Sequence, residues 1–156
     1  MQAQQAIFAA GCFWGVEEAF RKLPGVTEAE VGYTGGTTDH PTYGQVCTGT
    51  TQHAEAVRVT FDPRQISYRE LVDRFWSMHN PTTYHRQGPD VGSQYRSAIF
   101  FYDEAQCAEA EQSKEIAQKQ FTSPIVTEIV PAAPFYRAEE EHQRYFEKHG
   151  GESCHF

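Results

Sequence analysis

The sequence lacks an excess of basic charge. Its 13 Lys and Arg stand against 21 Asp and Glu, a formal net charge of -8, so the counterion-release term that drives binding to a phosphate backbone is missing and no nucleic-acid partner is expected. A long apolar run is lacking too: no stretch reaches the roughly 18 apolar residues that a membrane-spanning helix needs. The opening residues, Met1 to Gly11, carry no basic segment of the kind that starts a secretory signal. The expectation is a cytoplasmic protein with no membrane partner. Cysteine is scarce, with four residues at 12, 47, 107 and 154, too few and too widely spaced for a disulfide-stapled miniature fold. In a reducing compartment such residues are either small core fillers or catalytic thiols. Repeats, low-complexity tracts and linkers are also absent. What remains is one ordinary domain, residues 1–156, of which 39% are hydrophobic: enough for a real core, and too short for two.

The apolar pattern switches between periods of two and of 3.6 residues. Short runs predict strands at 6–10, about 26–33, 54–61, 98–102 and 125–130. A helix is predicted over about 13–23, closed by Pro24-Gly25, and another behind a capping box of Ser67 and Glu70, carrying Leu71, Val72, Phe75, Trp76 and His79. Two more are predicted over about 104–120 and 138–148. Strands and helices interleave around a mixed sheet, which predicts an α+β layered sandwich. Segments 34–53 and 80–97 exceed the about 12–15 residues beyond which a structureless loop is functional or disordered. Tyr33, Tyr43, Tyr84, Val91 and Tyr95 give them more apolar material than a solvated linker carries, which argues against disorder.

In Gly11-Cys12-Phe13-Trp14-Gly15, Cys12 falls where the first strand turns into the first helix. There the unpaired amides and the helix dipole favour a thiolate, below the free cysteine pKa of about 8.5; the alternative is a small buried hydrophobe. Phe13, Val16, Phe20 and Leu23 form one helical stripe, whereas Trp14 points about 140° from its centre. Such a tryptophan either walls a small substrate group beside the thiolate or packs under a long loop. In the third predicted strand, alternation puts Glu55 on the face of Val57, Val59 and Phe61, the core side. Desolvation there disfavours the charge and suits a general acid; a strand-end Glu in solvent, or one paired with an Arg, is the alternative. Tyr43 and Tyr95, on turn-rich loops, can donate hydrogen bonds to a substrate oxygen while neutral, or simply close off their loops.

Taken together, Gly11-Cys12-Phe13-Trp14-Gly15, Gly32-Tyr33-Thr34-Gly35-Gly36, Thr50-Thr51-Gln52-His53-Ala54-Glu55 and Asp90-Val91-Gly92-Ser93-Gln94-Tyr95-Arg96-Ser97 closely resemble the peptide methionine sulfoxide reductases of type A, over about residues 6–149. The resemblance implies a two-layer α/β sandwich of ferredoxin-like type that reduces the S epimer of methionine sulfoxide, free or in proteins. It implies Cys12 as nucleophile, Phe13 and Trp14 as the pocket for the substrate's methyl group, and Glu55 as acid. Tyr43 and Tyr95 become donors to the sulfoxide oxygen, with Asp90 organising the site. The chemistry agrees, since a sulfoxide sulfur is a poor electrophile until its oxygen is hydrogen-bonded or protonated. Oxygen transfer leaves methionine and a Cys12 sulfenic acid, which a second thiol condenses into a disulfide; thioredoxin is the implied external reductant, with no bound cofactor or metal.

The chain departs from the family pattern at its end. Many relatives carry the resolving cysteine in an Asn-Pro-x-Gly-Tyr-Cys segment, where this chain has His149-Gly150-Gly151-Glu152-Ser153-Cys154-His155-Phe156. Cys154 keeps the expected distance from the end, and Gly150-Gly151 lets a coiled tail swing toward Cys12, so Cys154 is the expected resolving thiol. Cys47 and Cys107 read as packing residues, with Cys107 the rival if the tail lies too far away. A monomer is expected. Two other classes stay open: a cysteine hydrolase pairing Cys12 with His53, His79 or His85, and a zinc module of His142, His149, Cys154 and His155, whose spacing matches no compact two-pair pattern.

Overall fold

The computed structural model, which describes residues 3–149, assembles the alternating runs into one sheet. Its strands are β1 (Gln4–Ala10), β2 (Val26–Thr34) and β3 (Ala54–Phe61), then, after the two-stranded hairpin of β4 (Arg86–Gln87) and β5 (Asp90–Val91), β6 (Ser97–Phe101), β7 (Glu128–Pro131) and β8 (Phe135–Arg137). The order across the sheet is β7-β6-β1-β3-β2-β8. β6 and β7 run parallel and the other neighbours antiparallel, so the sheet is mixed and the fold is α+β. The helices are α1 (Phe13–Arg21), α2 (Tyr43–Cys47), α3 (Tyr68–Phe75), α4 (Glu104–Ala117) and α5 (Tyr145–His149).

One face of the sheet carries the core. Phe8, Val31, Val57, Val59, Phe61 and Ile99 meet Phe13, Val16 and Phe20 of α1, Leu71, Val72 and Phe75 of α3, and Ala110 and Ala117 of α4. Burying a phenylalanine such as Phe8, stacked 4.8 Å from Phe20, contributes about 1.5–3 kcal/mol. The opposite face holds a smaller cluster, Ile7, Ala9, Ala54, Ala56, Ala98 and Phe100, covered by Val130, Ala132 and Phe135. The local signals act as predicted at two ends. Gly11, at φ 98°, makes the turn from β1 into α1 that a side chain would strain. The Ser67 hydroxyl accepts the Glu70 amide at 3.1 Å while the Glu70 carboxylate accepts the Ser67 amide at 3.2 Å, so α3 starts on its capping box.

The structure corrects the sequence reading in three places. Neither long segment is structureless: the first contains α2, opened by a second capping box between Thr42 and Gln45, and the second contains the β4–β5 hairpin and a 3-10 turn at Ser93–Tyr95. The strand expected at 125–130 begins at Glu128, and β8 was not expected at all. The helix expected over 138–148 is replaced by a 3-10 turn at Glu140–His142, a left-handed Arg144 at φ 51°, and only then α5. The cause is Gln143. Its side chain accepts the Val31 amide and donates to the Val31 and Ala138 carbonyls, all at 2.9 Å, which pulls this stretch onto β2 in place of a helical ladder.

Candidate active site

Cys12 is the N-cap residue of α1 and is almost fully buried, at the mouth of the helix whose first-turn amides favour an anion. Glu55 faces the core side as strand parity requires and is 1% exposed. Its Oε1 accepts the N–H of Phe13 at 3.2 Å, the amide next to Cys12, so the acid and the thiol meet at the same helix end. Tyr33 pairs with Glu55 across β2 and β3. The Tyr33 hydroxyl donates to Glu139 Oε1 at 2.9 Å, and Glu139 Oε2 accepts the backbone N–H of Tyr43 at 3.1 Å. Burial works against the Glu139 charge, yet its own amide, that of Tyr43 and the Tyr33 hydroxyl hold its pKa below the usual carboxylate range.

The two loop tyrosines converge on this centre. Tyr43, fixed at the start of α2, lies 6.2 Å from the Phe13 ring, 6.3 Å from Trp14 and 4.4 Å from His142, measured between centroids. Tyr95 closes the 3-10 turn, where burial first and then the charges of Glu55, Cys47, Asp90 and Cys12 push its hydroxyl well above the usual phenol range. Burial and then Glu55 do the same to Tyr43. Both are therefore proton-bearing donors at any ordinary pH. Asp90 sits half-buried on β5, its charge felt at Tyr95. Phe13 is 1% exposed against Tyr33 and His142; Trp14 is half-buried.

Six of the expected site residues are thus brought together, Cys12, Phe13, Trp14, Tyr43, Glu55 and Tyr95, with Asp90 at the edge. Cys154 lies outside the described residues. Cys47 is exposed and its thiol meets the Tyr43 hydroxyl one turn away on α2, with burial the main cause that raises its pKa. Cys107 is on α4, where burial and then Glu104 and Glu111 raise its pKa. Geometry therefore makes Cys47, rather than Cys107, the neighbour of the tyrosines. The sequence reading missed Tyr145 and Glu139 and named His142 only as a candidate zinc ligand, because the helical period assigned to that stretch hid their place beside Trp14 and Tyr43.

The hydrolase bases are engaged elsewhere. His53, 2% exposed, accepts the Gly36 amide on Nδ1 at 3.0 Å and reaches the Thr38 carbonyl through Nε2 at 2.6 Å. A Cβ on Gly36 would lie 2.4 Å from the His53 nitrogen and the Thr51 oxygen, so the close approach requires glycine. His79 spans the Phe75 carbonyl and the Ser97 hydroxyl, and His85 stacks 3.8 Å from Tyr84 on its loop. Of the zinc set, His142 turns Nδ1 toward the Trp14 N–H at 3.2 Å, while the His149 side chain, Cys154 and His155 lie outside the described residues. Among the described residues no group of three or more His, Cys, Asp and Glu is placed to hold a metal ion.

A family model described as peptide methionine sulfoxide reductase matches residues 4–156. The chain belongs to the peptide methionine sulfoxide reductase family. It is an enzyme of that family, a thiol-dependent reductase of methionine sulfoxide. The peptide methionine sulfoxide reductase MsrA of Methanoculleus marisnigri is 59% identical to it over 153 residues, 97% of this chain and 93% of the relative. The crystal structure of Mxr1 from Saccharomyces cerevisiae in reduced form matches this reductase with a TM-score of 0.93 at 39% identity, over 99% of this chain and 92% of that one. Mxr1 in complex with Trx2 matches with a TM-score of 0.67 at 30% identity, over 90% and 84% of the two chains.

Proposed function

We propose that the Cys12 thiolate attacks the sulfur of methionine S-sulfoxide, free or in a polypeptide, while Glu55, Tyr43 and Tyr95 act on its oxygen. One observation carries this reading: a carboxyl group 1% exposed and hydrogen-bonded to the amide beside Cys12, within the field of two neutral tyrosines. Attack forms a sulfur–sulfur bond as Glu55 delivers its proton to the oxygen and the tyrosines stabilise the developing charge. The oxygen then passes to the Cys12 sulfur, the bond between the two sulfurs breaks, and methionine leaves with two electrons gained. Cys12 is left as a sulfenic acid. Phe13 and Trp14 wall the methyl group, and Asp90 organises Tyr95 through its charge.

Cys154 is the resolving thiol in this scheme. Its sulfur displaces the sulfenic oxygen as water and forms a disulfide with Cys12, which a thioredoxin dithiol reduces by exchange. The relative Mxr1, crystallised with Trx2, supports a protein reductant, and no bound cofactor enters the cycle. The order β6-β1-β3-β2 of the β1-α1-β2-β3-α3-β6 unit supports a ferredoxin-like, two-layer description. The protein acts as a cytoplasmic monomer.

The test mixes the reduced protein, without any reductant, with separated epimers of a methionine sulfoxide peptide. The expected result is a burst of methionine stoichiometric with enzyme on the S epimer alone. A burst on the R epimer, or none on either, overturns the reading.

A further inference from the structure

Trp14 does not stand on α1 alone. Its indole lies flat on Tyr145, with centroids 3.9 Å apart and planes at 10°, and donates its N–H to His142, which is 128 residues downstream. Glu17 of α1 holds the same stretch of chain. It is 1% exposed, and its Oε2 accepts the Arg144 amide at 2.9 Å, with a further hydrogen bond from the Tyr145 amide. These amides stand where the left-handed Arg144, a strained conformation for a non-glycine residue, turns the chain into α5. The carboxyl group therefore fixes the turn that presents Tyr145 to Trp14.

We infer that Glu17 is a positioning residue of the reductase: by clamping the Arg144 and Tyr145 amides to α1 it holds Tyr145 against Trp14 and so sets the wall that receives the substrate's methyl group. This rests on the reading of Trp14 as that wall. A carboxyl group is a costly choice for a site so deeply buried. Burial raises the Glu17 pKa from 4.5 to about 7, outweighing the two amides and the attraction of Arg21, with Glu18 adding to the rise. Other charged groups face the junction. Arg21 is ion-paired to Glu18 and Glu147 and Arg144 to Glu147, and Glu28, Glu30 and Arg137 line the adjoining cavity of about 410 Å³ with Arg21, Arg144 and Glu147. His142 meets Trp14 at its indole N–H, and Lys148 pairs with Glu140.

The sign follows from the clamp's chemistry. Protonation favours the state that holds the carboxyl group at the higher pKa, and burial under the Arg144–Tyr145 turn makes that the clamped state, so the clamp tightens as pH falls through about 7 and loosens above it. The experiment follows Trp14 emission, as the difference from a Trp14→Phe blank in which Trp76 cancels, between pH 5.5 and 8.5 in the parent, E17Q and E17A. It is paired with KM and the saturating single-turnover rate on a peptide S-sulfoxide.

The parent's emission should titrate near pH 7, and E17Q should lose most of that titration. E17A should show the alkaline-end emission at every pH, with KM raised about tenfold and the saturating rate within about threefold. Full titration retained in E17Q overturns the inference. So do parental emission and KM in E17A; should E17A not fold, E17Q decides alone. The saturating burst tests the reductase reading separately: its loss in the parent would refute that reading, while its survival in all variants with unmoved emission refutes only the clamp.

Discussion

Replacing Glu55 by glutamine separates the two things this side chain does. As an acceptor it satisfies the Phe13 amide, which is buried at the start of α1. As the acid of the proposed mechanism it supplies a proton to the sulfoxide oxygen. Glutamine keeps the volume, and its carbonyl oxygen can still take the Phe13 N–H, so the fold should lose less than about 1 kcal/mol. It has no proton to release. General acid catalysis is worth about 10²–10⁴-fold, or roughly 3–5 kcal/mol of barrier, so the methionine-forming step should slow by that factor, with Tyr43 and Tyr95 sustaining the remainder. Glu55→Ala is the contrasting variant: it leaves the Phe13 amide without its acceptor in a desolvated place and should cost about 1–3 kcal/mol of stability as well as the rate. The assay is single-turnover methionine formation across acid to neutral pH, with urea melts on the same samples. If E55Q forms methionine within about threefold of the parent, Glu55 is only a helix-end acceptor and the proton comes from elsewhere.

Cys12→Ser should form no methionine with either epimer, because a hydroxyl is far less ionised than a thiol at neutral pH; turnover by this variant would remove Cys12 from the chemistry. Cys154→Ser should still form one methionine per enzyme while thioredoxin-driven turnover collapses, and any residual turnover should vanish on adding Cys47→Ser but survive Cys107→Ser, as peptide mapping of the disulfides can check. Gly36→Ala should destabilise the fold by about 1–3 kcal/mol, since the new methyl meets backbone atoms at 2.4 Å that have no room to shift, and a melt within 0.5 kcal/mol of the parent would refute that packing. Glu17 binds its proton more tightly folded than unfolded, with a pKa of about 7 against 4.5, so stability should fall as pH rises through that window, by up to about 3 kcal/mol. E17Q should lack that slope, and identical slopes in urea melts at pH 5 and 8 would refute it.

Much of the site was legible because short-range rules decide it. Glu55 follows from strand parity, and Cys12 from a glycine turn between an alternating run and a 3.6-period run. The Ser67–Glu70 box gave α3, yet the same spacing at Thr42 and Gln45 went unread because α2 has only five residues and no apolar stripe behind it. The C-terminal stretch was illegible for a different reason. Its conformation answers to Val31, Trp14 and Glu17 on distant elements, and a left-handed Arg144 has no signature in a window of neighbours. Glu17 carries no cue in its own helix, since its partners are the Arg144 and Tyr145 amides laid over α1. Trp14 stands next to Cys12 and packs against His142 and Tyr145, which belong to neither of the two long segments.

The bonds that finish the site join the two ends of the chain: Trp14 to His142, Glu17 to Arg144, Tyr33 to Glu139 and Tyr43 to Glu139. During synthesis, β1, α1, β2 and β3 leave the ribosome well before residues 139–145, so the central sheet can pair while its clamp is still being made. Closing loops of this span is slow relative to the local pairings. A chain made only as far as β3 therefore carries Cys12 at a helix end whose Tyr43 and Trp14 have not yet met Glu139, His142 and Tyr145, and the pocket proposed for the sulfoxide is complete only once residues 139–145 are in place.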